Sequence, residues 1–299
     1  GRVQGRTVLG HTMIPTSGKY ILTITCPDAT GLVAAVAGFL RDENCFIDQS
    51  SQFGDPATQK FFMRAVFTRG GNSAPIDVIE ARFASIAAKF QMSVDIVPAD
   101  RKPRVLIAVS RFGHCLNDLL HRWETDQIAI DVAGVFSNHE DMRRLVEWHN
   151  VPYHYLPVTP ETKVQQERQW LALIDALKVD FVVLARYMQV LSPEACRALE
   201  GRCINIHHSF LPSFKGATPY QQAYARGVKI IGATAHYVTG TLDEGPIIEQ
   251  AVERVDHTHS PADLVAIGRD LETVVLARAV RWHAERRVLL NGSKTVVFR

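Results

Sequence analysis

The chain has no apolar run near the eighteen or so residues that a bilayer-spanning helix needs, which argues against a membrane protein. Cysteine is scarce as well: Cys26, Cys45, Cys115, Cys196 and Cys203 are scattered, odd in number and never spaced as CxxC. That pattern argues against a disulfide framework and points to a reducing cytoplasm. No HExxH occurs either, so no metal is expected. Neither sign of charge dominates, and a formal net charge of +2 offers no field for nucleic acid or an anionic membrane. Internal repeats and low-complexity tracts are missing. Residues 1–18 mix Arg, Gly, Thr and Pro without an apolar core, so they read as a flexible tail and not a signal peptide.

What the chain does have is length and ordinary globular composition. Its 299 residues, 46% of them apolar, suffice for two domains with buried cores. Residues 20–26 read as a strand, rich in β-branched side chains, and residues 46–52, 60–68 and 92–97 as three more. Between them, residues 32–40 and 76–90 repeat apolar side chains at helical spacing. The order βαββαβ over residues 19–99 is the ferredoxin-like pattern. Residues 98–103 are short, charged and bracketed by prolines, as a linker would be.

From residue 104 to 299 strands and helices alternate, which indicates a mostly parallel α/β sheet wrapped by helices. Strands are expected at 104–110, 128–136, 153–156, 181–185 and 203–208, followed by an antiparallel pair at 230–238 and 247–255. Helices are expected at 115–125, 141–149, 164–177 and 264–281. A closing hairpin is expected around Asn291-Gly292.

Two segments concentrate the chemistry. In the strand beginning at Cys203, Asn205 and His207 share one face while Ile204 and Ile206 share the other. His208 then falls on the apolar side if the strand stays regular. Asp243 arrives on a Gly-flanked loop after a further apolar strand. An amide, an imidazole and a carboxylate on loop edges suit acyl chemistry: the first two can stabilise an oxyanion, the last can hold or take a proton. Whether His207 acts as a charged donor or as a proton relay stays open in the sequence. Arg186, Tyr187 and Met188 follow the strand at 181–185, at the carboxyl end where α/β sheets place ligands. Val190 reads as core.

Asn205-x-His207, Ser209-Phe-Leu-Pro212 and Asp243, in that order, resemble the formyltransferase family that uses 10-formyltetrahydrofolate. The double histidine before Ser209, with residues 184–191 and 232–239, resembles the deformylase branch of that family. The resemblance implies hydrolysis of 10-formyltetrahydrofolate to formate and tetrahydrofolate, an amide hydrolase step that balances one-carbon folates and supplies formate for purine biosynthesis. Asn205 and His207 would stabilise the oxyanion and Asp243 would activate water. Arg186, Tyr187, Met188, Thr239, Gly240 and Glu244 would enclose the folate substrate, with no cofactor beyond it. Transferases of this family that take glycinamide ribonucleotide carry a Gly-rich phosphate loop after their first strand. Here that strand runs into Ser110-Arg-Phe-Gly-His114, which offers no such cradle and leaves water as the acceptor.

Residues 26–32 at the first turn resemble the ACT regulatory domain, which implies a homo-oligomer and an amino-acid effector bordered by Asp28, Thr30, Gly31 and Asn44. An Asp and a Gly before a helix serve equally as cap and turn. Two rivals accompany the hydrolase reading: a formyltransferase to an amine acceptor, and an amino-acid-sensing folate-binding regulator without turnover.

Overall fold

The structure, a computed structural model, describes residues 18–211 and 219–299. Residues 1–17, expected as a tail, and residues 212–218, which include Pro212 of the motif, lie outside the described residues. The chain divides into two compact units, one ending at Arg101 and one beginning at Lys102.

The first unit runs β1 (Lys19–Pro27), α1 (Leu32–Asp42), β2 (Cys45–Asp55), β3 (Lys60–Arg69), α2 (Ile76–Lys89) and β4 (Ser93–Pro98). Its four strands form one antiparallel sheet in the order β2-β3-β1-β4. Leu22 and Ile24 of β1 and Phe61, Met63 and Phe67 of β3 alternate onto one face. There they meet Leu32, Val36 and Leu40 of α1 and Ile79 and Phe83 of α2. Each such side chain contributes about 1.5–3 kcal/mol when fully buried. Gly31, with φ +91°, is the N-cap of α1 and no side chain caps that end, so Asp28 is not the helix cap.

The second unit continues with β5 (Arg104–Val109), α3 (His114–Glu124), β6 (Asp131–Ser137), α4 (Arg143–Trp148), β7 (Tyr153–Tyr155), α5 (Lys163–Ala176), β8 (Phe181–Leu184), α6 (Pro193–Ala198), β9 (Cys203–His207), α7 (Pro219–Arg226), β10 (Ile230–Tyr237), β11 (Ile247–Arg254), α8 (Pro261–Ala284), β12 (Val288–Asn291) and β13 (Lys294–Val297). Seven strands make one sheet in the order β11-β10-β9-β8-β5-β6-β7. β9 to β7 are parallel, and β10 and β11 are antiparallel. The sheet is therefore mostly parallel, with an antiparallel edge. Strand alternation sorts β5 between two cores. Val105, Ile107 and Val109 pack with Leu116 and Leu120 of α3 and Val275, Leu276 and Ala279 of α8. Leu106 and Ala108 pack on the other face with Trp170 and Ile174 of α5 and Ala195 at α6.

Two short helices escape the sequence reading. α6 has a cap signal, Ser192 before Pro193, and Ser192 accepts from the Ala195 amide, but six residues carry no readable apolar period. α7, with eight residues, is also brief. α8 starts at Pro261 because Ser260 and Asp263 form a reciprocal capping box there. The hairpin turns one position later than expected: Asn291 pairs with Lys294, and Gly292 (φ +63°) opens the turn. Among the described residues no helix is long and apolar enough to cross a membrane.

Candidate active site

β9 carries Asn205 and His207 on the face away from Ile204 and Ile206, which enter the core under α3 and α8. Beside β9, the antiparallel β10 sets His236 directly opposite Asn205. The loop after β10 must then return Asp243 to the strand ends. Gly245 allows it, since a Cβ there would lie 1.6 Å from the Tyr237 carbonyl oxygen and 3.1 Å from His236 Nδ1. Asp243 itself takes a left-handed φ of +57°, a conformation Asp tolerates better than most residues.

The result is a buried polar chain. His207 Nδ1 lies 3.3 Å from Asp243 Oδ1, and His236 Nε2 lies 3.9 Å from the same oxygen. His236 Nδ1 is 2.9 Å from the Tyr237 carbonyl, which can only accept, so that nitrogen carries the proton. Its Nε2 is thereby the acceptor for the Asn205 amide N–H at 3.3 Å, which orients the amide. Burial holds the His236 pKa below its ordinary value and keeps that assignment. Burial alone would raise the Asp243 carboxyl, but the hydrogen bond and charge of His207, with His236 and His208, hold it below the usual range. Asp243 is therefore a carboxylate at neutral pH. His207 Nε2 is buried without a hydrogen-bond partner among the described residues, an open valence at the site.

These groups line a cavity of about 300 Å³ whose other walls are largely apolar, including Leu184, Leu191, Cys196 and Val238. Of the residues expected to enclose substrate, Arg186, Tyr187, Met188, Thr239 and Gly240 line it. Glu244, one position past Asp243, is exposed and is not part of that wall. Tyr187 is anchored more than it is offered. It is 5% exposed, sits edge-on to Phe136 and accepts from Gln166 Nε2 at 2.9 Å. Val190, expected in the core, is 55% exposed and belongs to the cavity wall. His208 also departs from expectation. β9 ends at His207, so alternation stops, and the two imidazoles stand edge-on with centroids 5.1 Å apart on the same cavity.

The sequence reading missed His236 and a second polar cluster. Glu272 of α8, 1% exposed, accepts from Tyr220 OH at 2.8 Å and faces His114 Nε2 at 2.7 Å and Arg186 Nη1 at 3.5 Å. A signal existed, since Glu272 stands in the helical stripe of Gly268, Val275, Leu276 and Ala279 that is otherwise apolar. His114, Cys115 and Glu272 offer donor atoms within 4.8 Å of one another. Burial pushes the Cys115 thiol well above its ordinary pKa and Glu272 is already engaged, so this set does not suit a resident ion.

The expected effector residues do not converge within the first unit. Asp28, Thr30 and Gly31 are exposed at the end of β1 near Gly54 of β2, where a Cβ would lie 2.6 Å from Asp28 Oδ2. Asn44 (φ +56°) sits at the other end of the sheet, its carbonyl accepting from the Gly70 amide and the Ser73 hydroxyl. The eleven residues of α1, about 16 Å of helix, separate them.

A formyl transferase family model matches residues 103–280. A formyltetrahydrofolate deformylase of Corynebacterium sp. (strain P-1) is 50% identical over 283 residues, covering 94% of this chain and 98% of that protein. The crystal structure of formyltetrahydrofolate deformylase from Burkholderia mallei superposes with a TM-score of 0.90 at 51% identity, over 94% of this chain and 100% of that one. A glycinamide ribonucleotide transformylase 1 from Symbiobacterium toebii is more distant, with a TM-score of 0.61 and 29% identity over 66% of this chain and 95% of that one.

Proposed function

The chain belongs to the formyl transferase family and, within it, to the formyltetrahydrofolate deformylases, and on that premise we propose that it hydrolyses 10-formyltetrahydrofolate to formate and tetrahydrofolate. The observation that carries the reading is the largely buried set Asn205, His207, Asp243 and His236, with an imidazole nitrogen unpartnered among the described residues, at the end of a largely apolar cavity.

In this reading folate enters between the segment Arg186–Leu191 and the loop Thr239–Asp243, with the formyl group at β9. Asp243 uses one carboxylate oxygen to hold His207 and the other to take a proton from water as its oxygen attacks the formyl carbon. The negative charge gathering on the formyl oxygen meets the Asn205 amide and His207 Nε2. His236 keeps the amide facing that way. Collapse of the tetrahedral intermediate breaks the bond from carbon to the folate nitrogen, which takes up the proton. Every group needed is a side chain or the substrate, so the reading asks for no cofactor.

Water as acceptor is supported by the segment after β5. Phe112 is bulky and exposed there, and Gly113 is packed under Met142, whose sulfur would lie 2.4 Å from an added Cβ. The test is formate release from 10-formyltetrahydrofolate with no amine present. Release that required glycinamide ribonucleotide would make the protein a transferase, and folate binding with no turnover would make it a sensor.

The first unit is read as an ACT-type ferredoxin-like domain that self-associates. Its order β2-β3-β1-β4 supports this, as does the edge strand β2, which exposes Phe46, Ile47 and Phe53. An amino-acid effector at the Asp28–Gly31 turn belongs to the same reading. Five cysteines that are all free and buried fit a cytoplasmic location, where the products would feed one-carbon transfer and purine biosynthesis.

A further inference from the structure

A second pocket of about 280 Å³ adjoins the catalytic cavity and shares Arg186, Met188 and His208 with it. The mechanism above makes no use of it. Its walls come from four places: Phe112 and His114 at the start of α3, Arg186 after β8, Tyr220 on α7, and Arg269 and Glu272 on α8. Gly268 lets Tyr220 into the wall, since a Cβ there would lie 2.1 Å from the phenol oxygen.

The charge in this pocket does not cancel. Glu272 is answered by Arg186, His114 and Tyr220. Arg269 remains, exposed on the rim over Phe112, with its guanidinium 6.0 Å from the ring centroid. Arg186 lies over the same ring at 5.5 Å. Among the described residues no carboxylate pairs with Arg269 within 4.0 Å. One carboxylate against two guanidiniums leaves the pocket cationic, and a cationic concavity draws small anions.

In the deformylase reading, hydrolysis makes a small anion at the end of β9, next to the His208 that both pockets share, while the bulky folate product still fills the larger cavity. We propose that the second pocket is the exit subsite for formate, so that the anion leaves past His208 and Arg269 before tetrahydrofolate dissociates. The proposal rests on the deformylase reading for its ligand, yet its geometry can be tested without turnover. The pocket suits a carboxylate of about three non-hydrogen atoms, held by guanidinium N–H donors. The same passage admits the next water.

Product inhibition reads the order of release. Formate should inhibit in a mixed pattern against 10-formyltetrahydrofolate, and tetrahydrofolate competitively. Arg269→Glu should weaken formate inhibition about three- to tenfold, the scale of an exposed charge contact, and added salt should weaken it further in the wild type. The same variant should leave kcat/KM for the folate unchanged. Gln221→Trp, at an exposed position on the pocket wall, should slow formate release without altering folate affinity. Titration of ¹³C-formate followed by NMR, on the protein saturated with tetrahydrofolate, measures the subsite directly. Purely competitive formate inhibition, with Arg269→Glu equal to wild type in the NMR titration, would overturn the proposal. A wild type that releases no formate but still binds it through Arg269 would overturn the deformylase reading and keep the anion subsite.

Discussion

Two buried carboxylates, Asp243 and Glu272, differ in what their surroundings leave open for chemistry. Both are held below the usual carboxylate range against a burial that pushes them up. Asp243 sits on a loop with one oxygen 3.3 Å from an imidazole, and that imidazole's far nitrogen is unpartnered among the described residues. Glu272 sits in the middle of a 24-residue helix with both oxygens engaged, by Tyr220 on one and by His114 and Arg186 on the other. The same functional group is spent at one place and available at the other. A satisfied network ties helices and loops together, whereas an open valence on a cavity wall is left for substrate.

Substitution should separate the two most sharply at Asp243. Asp243→Asn should keep the fold and folate binding and lower kcat by roughly 10²–10⁴. Near-normal turnover in this variant would remove Asp243 from the chemistry and collapse the contrast. Asn205→Ala should cost on the order of 10²–10³, in kcat more than in KM, because an oxyanion donor acts chiefly in the transition state. A change confined to KM would make Asn205 a ground-state binding group.

Glu272→Gln should cost less than about tenfold in kcat, since no proton passes through it. Its effect belongs to acid stability. The folded carboxyl lies below its unfolded value, so its contribution is present above an unfolded pKa of about 4.3 and is lost as pH falls through the folded value. Melting temperature against pH should therefore fall less steeply on the acid side in Glu272→Gln than in wild type. A parallel curve would show that the carboxylate gives no net stability there. The smallest effects belong to the first unit. Asp28→Ala should leave basal turnover unchanged and abolish any response to glycine or methionine, while Asn44→Ala, at the far end of the sheet, should keep that response. Loss of the response in both variants would show that the two ends act together across an assembly.

Much of the site lay open in the chain because its geometry is local. Residues two apart on a strand share a face, so the spacing of Asn205 and His207 alone pairs them, and the alternation of β5 between two cores follows from the same period. Helical stripes likewise located α3, α5 and α8 to within a few residues. The reading failed where a period ended. His208 lies one residue past β9, Glu244 one past Asp243, and Val190 in a loop with no period at all.

By itself the sequence determined the alternating strands and helices, the face shared by Asn205 and His207, and a glycine where the Asp243 loop must pass close to β10. Only the tertiary structure decided which distant groups meet. His114 and Glu272 are 158 positions apart, and Asn205 and His236 are 31 apart. Their contacts depend on strand order, on register and on how α8 lies against the sheet. A backbone period constrains neighbours within a turn or two, but the meeting of separate elements is set by the packing of the whole core, which no single segment encodes.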